Sequence, residues 1–194
     1  MKGLDEFIVE IGKAFKDTIK HGSLELYTDY RTAQQEQSNR RGVIISTPMQ
    51  VETDIEPGCE VLIDPTILFK QVYRGKMQES RFLVDEEKGW YRVDASMIIV
   101  YRNPGGNWKG CGENLLVKAV KAEEKETASG IILPKSQDEM DGYAEVVYPN
   151  EELLEQGVVP GDVIYFPKNK KWEFELEGQT YLYLRNKDIL AKRE

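Results

Sequence analysis

The sequence predicts a mainly β protein, in which two small β-barrels follow one another along the chain after an N-terminal helix. The first indication is a repeat: Pro57-Gly58 precedes the apolar run 60–63, and Pro160-Gly161 precedes the similar run 162–165. The second is a strict alternation of aromatic or aliphatic residues with glutamates over residues 172–177. Such a segment has one apolar and one charged face, and a small antiparallel sheet buries the apolar face best by closing on itself.

The length of 194 residues suits two domains of ordinary size. Similar strands recur at an offset of 91 residues at the first strand (Leu24 to Leu115), 103 at the Pro-Gly turn and 91 again at the last strand (Ile98 to Ile189). Changes of length confined to loops are typical of a duplicated domain. The predicted organisation is therefore a helical extension at 1–22, a first, divergent barrel at 23–103, a glycine- and proline-rich linker at 104–112, and a second barrel at 113–194.

The N-terminal helix is predicted from the spacing of apolar residues. They recur every three or four positions among charged ones, which is helical periodicity, and Gly22 could end the helix. An alternative makes residues 6–11 the first strand. The apolar positions of the helical pattern are Leu4, Ile8, Ile11, Phe15 and Ile19.

Charge argues against a nucleic-acid partner. The chain has 26 Lys and Arg against 34 Asp and Glu, a formal net charge of −8. An acidic protein gains nothing from counterion release on a phosphate backbone. No apolar run is long enough to span a membrane, and the N-terminus lacks the apolar core of a signal peptide, so we expect no membrane partner and a cytoplasmic location.

The residues that most catalytic and metal sites need are scarce. Cys59 and Cys111 are the only cysteines and His21 is the only histidine. A structural zinc site needs about four close ligands, and nucleophilic triads need a histidine beside the nucleophile. The glycines of 104–112 lack the Gly-Lys-Ser/Thr sequence of a phosphate loop. The sequence therefore predicts no enzyme, no metal and no cofactor.

An apolar triplet stands in an otherwise polar stretch. Ile131, Ile132 and Leu133 lie between the charged segments 121–126 and 135–141. The flanks are too polar to bury, which favours an exposed hook carried by a loop over residues 121–141. The alternative is a short buried strand, because apolar triplets are usually core.

Taken in order, these features resemble those of the GroES co-chaperonin family over residues 113–194. The matching residues are the loop sequence Gly130-Ile131-Ile132-Leu133, the Pro160-Gly161-Asp162 turn before a Val-Ile-Tyr-Phe strand, and the closing runs Tyr-Leu-Tyr-Leu at 181–184 and Asp-Ile-Leu-Ala at 188–191. Each is weak alone, but together and in this order they are specific.

The resemblance implies a function in protein folding. It implies that 121–141 is the mobile loop of a co-chaperonin, and that Gly130, Ile131, Ile132 and Leu133 dock into the apical domains of a GroEL-type chaperonin. It also implies a homo-oligomeric ring that caps the folding cage, with ATP bound by the partner. The expected location is the cytosol of a bacterium or of an infected host cell.

The chain departs from the family in two places. The connection at 149–160 is shorter than the roof hairpin of bacterial members, which implies an open dome, as in some phage-encoded co-chaperonins, and makes a viral origin plausible. The tandem arrangement is similar to that of plastid double-domain members, yet the first half has no clear hook. Val43, Ile44 and Ile45 could serve as a second anchor, or they could simply form a strand.

Two other classes of protein share features with this sequence. A medium-chain dehydrogenase carries a GroES-like barrel, but it would need a dinucleotide-binding βαβ unit that this sequence lacks. A viral structural or assembly protein built from duplicated GroES-like barrels remains open as the alternative function.

Overall fold

The computed structural model describes residues 3–16, 18–21, 24–27, 34, 38–121, 139–167 and 172–193. Over these residues the fold is mainly β, which confirms the predicted fold class. The chain divides into two compact units, Met1–Trp108 and Lys109–Glu194. Within the described ranges, no helix combines the length and the apolar character needed to cross a bilayer.

Six antiparallel strands of the first unit lie side by side in one sheet, in the order β8-β9-β1-β4-β5-β10. Two hairpins, β2–β3 and β6–β7, form two-stranded sheets of their own. Short 3-10 turns at Pro65–Leu68 and Ala95–Met97 follow β5 and precede β10. The strands are β1 (Phe7–Glu10), β2 (Thr18–His21), β3 (Leu24–Tyr27), β4 (Arg41–Ser46), β5 (Glu60–Ile63), β6 (Gln71–Tyr73), β7 (Lys76–Gln78), β8 (Leu83–Asp85), β9 (Trp90–Val93) and β10 (Ile98–Arg102).

The second unit is built on a six-stranded sheet in the order β15-β16-β12-β13-β14-β17. Its core lies on one face of this sheet and is sealed by a short helix, α1 (Glu151–Glu155). A 3-10 turn at Asn186–Asp188 leads into the last strand. The strands are β11 (Lys109–Gly110), β12 (Asn114–Lys121), β13 (Glu139–Tyr148), β14 (Val163–Tyr165), β15 (Trp172–Leu176), β16 (Gln179–Arg185) and β17 (Ala191–Lys192).

The six sheet strands of each unit follow the same order. From β8 to β10 in the first unit and from β15 to β17 in the second, β8, β9, β1, β4, β5 and β10 correspond in turn to β15, β16, β12, β13, β14 and β17. In both sheets the first strand along the chain is central, and it pairs with the second and with the next-to-last of the six.

The Pro-Gly turns match in their hydrogen bonds as well. Gly58 has a φ of +92° and its N–H donates to the carbonyl of Ile44 at 2.8 Å, while the Ile44 N–H donates to the carbonyl of Cys59 at 2.9 Å. Gly161 has a φ of +95° and its N–H donates to the carbonyl of Val146 at 2.8 Å. Glycine adopts this left-handed conformation without steric cost, which explains why both turns end in it.

The predicted N-terminal helix is wrong. Phe7–Glu10 is β1, a central strand between β4 and β9, and the residues assigned to a separate extension (1–22) include part of the first unit's sheet. Phe7, Ile8 and Val9 are all buried because a central strand is covered on both faces, and this removes the alternation that marks a half-buried strand. Leu4, which the helix would have buried, is 62% exposed.

For the same reason the predicted repeat begins at the wrong strand. The repeat aligned Leu24 with Leu115, but Leu24 lies in the separate hairpin β2–β3, and β1 is the counterpart of β12. The connection from β1 to β4 therefore spans residues 11–40, whereas the connection from β12 to β13 spans 122–138.

A short helix occupies the connection between β13 and β14. Helix α1 begins after Asn150, whose side-chain oxygen accepts a hydrogen bond from the Leu153 N–H at 3.0 Å. The Asn150 amide donates to the Asn186 side-chain oxygen at 2.7 Å. The buried Asn150 thus fixes α1 against the rest of the second unit.

Candidate functional site

The candidate site is the end of the β12–β13 hairpin. The register pairs Lys121 with Glu139, so the chain leaves and re-enters the sheet at two neighbouring positions. Paired residues of antiparallel strands have Cα atoms about 4.5–5.5 Å apart. The predicted contact residues Gly130, Ile131, Ile132 and Leu133 belong to the intervening segment 122–138, which lies outside the described residues.

The base of this hairpin is fixed by the core of the second unit. β12 pairs with β16 over residues 114–117 and with β13 over residues 116–121, so the start of β12 is fixed by β16 and its end by β13. Two of its buried side chains, Leu115 and Val117, pack in one cluster with those of the neighbouring strands and α1. The buried members of that cluster are Leu115, Val117, Ala144, Val146, Leu153, Val158, Ile164, Phe166, Leu182 and Leu184.

A glycine shapes the point where β13 turns toward the segment 122–138. The register shifts between Ala119 and Lys121, so that β13 carries extra residues next to Gly142. Gly142 has a φ of +85°, and an added Cβ would lie 2.9 Å from the Tyr165 ring and 3.0 Å from the Phe166 carbonyl. Its own carbonyl accepts the Phe166 N–H at 2.8 Å. Only glycine satisfies this backbone without strain.

Aromatic contacts support the same corner. Tyr143 and Tyr165 are paired across β13 and β14, and their ring centroids are 5.1 Å apart at an angle of 47°. Such tilted pairs add to the stability obtained from burial alone. The hairpin therefore starts from a well-packed platform. Gly142 and Tyr143 were not predicted as part of the site, although a glycine inside a strand pattern is a signal for a bulge.

The alternative anchor in the first unit lies in β4. Ile44 is 1% exposed and holds both main-chain hydrogen bonds to the Pro57-Gly58 turn. Val43, which is 39% exposed, is paired with Glu10 and Glu60. These positions correspond to the core strand β13 and not to the segment that follows β12. The geometry favours the strand interpretation of Val43, Ile44 and Ile45.

The described residues offer little to catalysis. No group of three or more His, Cys, Asp or Glu among them could hold a metal ion. Burial raises the pKa of the Cys59 thiol, which makes it a poorer nucleophile. Its Sγ lies 2.6 Å from the Asn103 side-chain oxygen, in the core of the first unit. Burial and the Tyr148 hydroxyl raise the pKa of Tyr181 to about 12. Both groups fit structural positions.

Comparison with known proteins places the likeness in the second unit. The model of the family described as Chaperonin 10 Kd subunit matches residues 107–193. The Co-chaperonin GroES of Clostridioides difficile is 40% identical over 91 residues, which cover 44% of this chain and 96% of that protein. The Co-chaperonin GroES of Pseudothermotoga lettingae is 41% identical over 83 residues, covering 43% of this chain and 92% of that protein.

A third relative is similar over a region of comparable length. The Co-chaperonin GroES of Bacillus mycoides is 40% identical over 90 residues, covering 43% of this chain and 95% of that protein. In each case nearly the whole relative is matched by less than half of this chain. The aligned region includes the candidate site and the strands that support it.

Proposed function

The chain belongs to the GroES co-chaperonin family, and from that membership we propose that it caps a GroEL-type chaperonin ring through the segment between β12 and β13. Ile131, Ile132 and Leu133 are the docking side chains, and Gly130 gives the backbone freedom just before them. The observation that carries this proposal is the pairing of Lys121 with Glu139, since it presents both ends of the segment from one packed edge of the second unit.

The composition of the segment supports reversible binding. Burying each of the three apolar side chains in a partner groove would contribute about 1.5–3 kcal/mol. Fixing each residue of a polar loop costs about 1 kcal/mol or more. The two terms nearly cancel over about ten residues, so one loop would bind weakly and release readily.

A ring of identical chains would solve the problem of weak single contacts. Several loops displayed together raise one another's effective concentration, so that the whole ring binds firmly while each contact remains easy to break. A cap that must close a folding chamber and then leave requires this balance. On this proposal the chain performs no bond chemistry and holds no cofactor, and ATP is bound and hydrolysed by the chaperonin.

We further propose that the first unit is a second, divergent GroES-like unit. The shared strand order and the matching Pro-Gly turns support an internal duplication. The counterpart of the β12–β13 segment is then the connection 11–40, and the sequence there contains no triplet like that at 131–133. Each chain would therefore supply one docking loop to the ring.

The test is capture of the chain by an immobilised GroEL-type ring. On this proposal, capture of the wild-type chain requires adenine nucleotide. Ile132→Asp should lower capture at least about tenfold, since it places a charge where an apolar side chain is buried. Ser136→Asp adds the same charge to the same segment outside the triplet and should bind like the wild type.

Three results would contradict the proposal. Capture that does not depend on nucleotide, or that survives Ile132→Asp, would show that the segment does not dock as a co-chaperonin loop. Absence of capture by any GroEL-type ring would favour the alternative, a viral assembly protein built from duplicated barrels.

A further inference from the structure

The hairpin β6–β7 is a feature of the first unit that capping does not explain. It lies between β5 and β8, which are separated by residues 64–82, whereas the corresponding strands β14 and β15 are separated only by residues 166–171. Its two strands pair only with each other. Every residue from 71 to 78 is exposed.

An isolated two-stranded hairpin is marginally stable in water, and this one exposes apolar side chains. Val72 and Met77 form a cross-strand pair on one face, and they are 69% and 40% exposed. Tyr73 is exposed as well, and the Arg74 guanidinium lies 5.2 Å from its ring centroid. Burial of these apolar side chains against a second surface would offset the conformational entropy that is lost when the hairpin is ordered.

The hairpin is well formed despite its exposure. Arg74 and Gly75 have φ of 50° and 73°, the positive values that a two-residue type I′ turn requires at both central positions. At the base, the Lys70 ammonium pairs with the Glu79 carboxylate at 2.6 Å, and the Lys70 N–H donates to the Gln34 side-chain oxygen at 2.7 Å. The tip therefore projects in a defined direction.

The positive charge of the hairpin indicates which type of surface would bind it. Residues 71–78 contain Arg74 and Lys76 and no acidic residue, within a chain whose net charge is −8. The hairpin is thus a basic and apolar projection on an acidic protein. Its best complement is an acidic surface that also exposes apolar side chains.

The second unit carries such a surface on α1 and the residues that follow it. Residues 151–159 contain Glu151, Glu152 and Glu155 and no basic residue. Leu154 and Val159, on the same short stretch, are 42% and 45% exposed. The helix is held from beneath by the buried Leu153 and Val158 and by the Asn150 cap, so it presents a fixed acidic and apolar face.

We propose that the β6–β7 hairpin of one copy of this chain docks on the α1 face of a second copy. Arg74 and Lys76 meet the glutamates of α1, and Val72 and Met77 cover Leu154 and Val159. The two surfaces differ, so the contact is heterologous, and repeating it from copy to copy builds a ring if the rotation closes. Such a ring would display the loops on which the proposed capping depends, but its assembly is measured without any chaperonin.

The experiment is a charge reversal read as the mass of the native assembly. Arg74→Glu with Lys76→Glu should weaken self-association more than about tenfold, because like charges then face each other across the contact. Glu151→Lys with Glu155→Lys should do the same from the other side. A chain with all four changes should regain the wild-type mass, since attraction is restored with the signs exchanged.

A matched control uses charges elsewhere on the surface. Lys16→Glu with Lys109→Glu changes the net charge by the same amount as the hairpin variant and should leave the mass unchanged. Circular dichroism and thermal melting should match the wild type for every variant, because all the changed side chains are exposed. Raising the salt concentration should weaken assembly of the wild-type chain and of the four-change chain alike.

The proposal fails if the wild-type chain is monomeric, if either double reversal keeps the wild-type mass, or if the four-change chain does not recover it. One failure would be informative about the partner. If hairpin reversal leaves the mass unchanged but abolishes capture by the chaperonin, the hairpin contacts the chaperonin and not a second copy.

Discussion

Ile44 and Val146 occupy the same position in their two units. The carbonyl of each accepts the N–H of the glycine in a Pro-Gly turn at 2.8 Å, and each is paired with a valine of the central strand, Val9 or Val117. Both side chains are buried. The equivalence assigns Ile44 to the core of the first unit, and it leads directly to a test of the second-anchor hypothesis.

Ile44→Ala should destabilise the first unit by about 2–5 kcal/mol, the usual cost of removing a buried isoleucine side chain. Val43→Ala, one residue away on the exposed side, should cost less than about 1 kcal/mol. Urea unfolding measures both. Capture by the chaperonin should be unchanged for the folded fraction of each variant, and a loss of capture with unaltered stability would instead identify an anchor.

Gly142→Ala should destabilise the second unit by about 1–3 kcal/mol, because it combines a positive φ with contacts to Tyr165 and Phe166 that are too short for a Cβ. Gly157→Ala is the matched control. Gly157 also has a positive φ, +79°, but nothing lies within 4 Å of an added Cβ. Chemical unfolding should show the larger loss at Gly142, and equal losses would mean that the bulge yields to the new methyl group.

Stability at acid pH should depend on Asp162. The Lys192 ammonium at 2.7 Å and the Val159 N–H at 2.8 Å hold the pKa of the Asp162 carboxyl below its usual value. A depressed pKa in the folded state contributes stability that is fully present above the unfolded-state pKa of about 3.9 and is lost as the pH falls through the lower folded-state pKa.

In Asp162→Asn the free energy of unfolding should therefore fall less between pH 6 and about pH 3 than in the wild type. Lys192→Met removes the same ion pair from the other side and should flatten the profile in the same direction. Urea titrations at several pH values measure both. Variant profiles parallel to that of the wild type would show that this ion pair does not contribute.

Strands with a clear alternation were predictable from the sequence. Phe174 and Leu176 are buried in β15 as the pattern requires, and the runs after both Pro-Gly turns form β5 and β14. Turn chemistry and period-two patterning are local, so they survive in a single sequence. Trp172, the third member of the alternation, is exposed at the end of its strand.

Central strands and inserted hairpins were not predictable in the same way. Phe7, Ile8 and Val9 form an uninterrupted apolar run because β1 is covered on both faces. With Leu4 and Ile11, this run also has the three- and four-residue spacing that is typical of a helix. The aromatic and β-branched composition of that run was the signal that favoured the strand. The hairpin β6–β7 was missed because its turn, Arg74-Gly75, lacks the Asn-Gly or Asp-Gly sequence that usually marks one.

The candidate site contains features that local sequence patterns predict and features that depend on contacts between distant residues. Its strands followed from the sequence, whereas the bulge at Gly142 depends on a close approach by Tyr165 and Phe166, which lie more than twenty positions further along the chain. No local pattern records such a contact. The triplet at 131–133 lies outside the described residues, and its role stays a prediction.

The neighbouring positions of Lys121 and Glu139 limit how far Ile132 can extend from the sheet. A chain advances at most about 3.3–3.6 Å per residue, so the seven steps from Glu139 allow Ile132 to travel no more than about 25 Å from that strand end. The arm from Lys121 is longer and does not set the limit. Extra residues between Leu133 and Glu139 would increase the distance that Ile132 can reach from the end of β13. Extra residues before Gly130 would lengthen only the arm from Lys121, which does not set the limit.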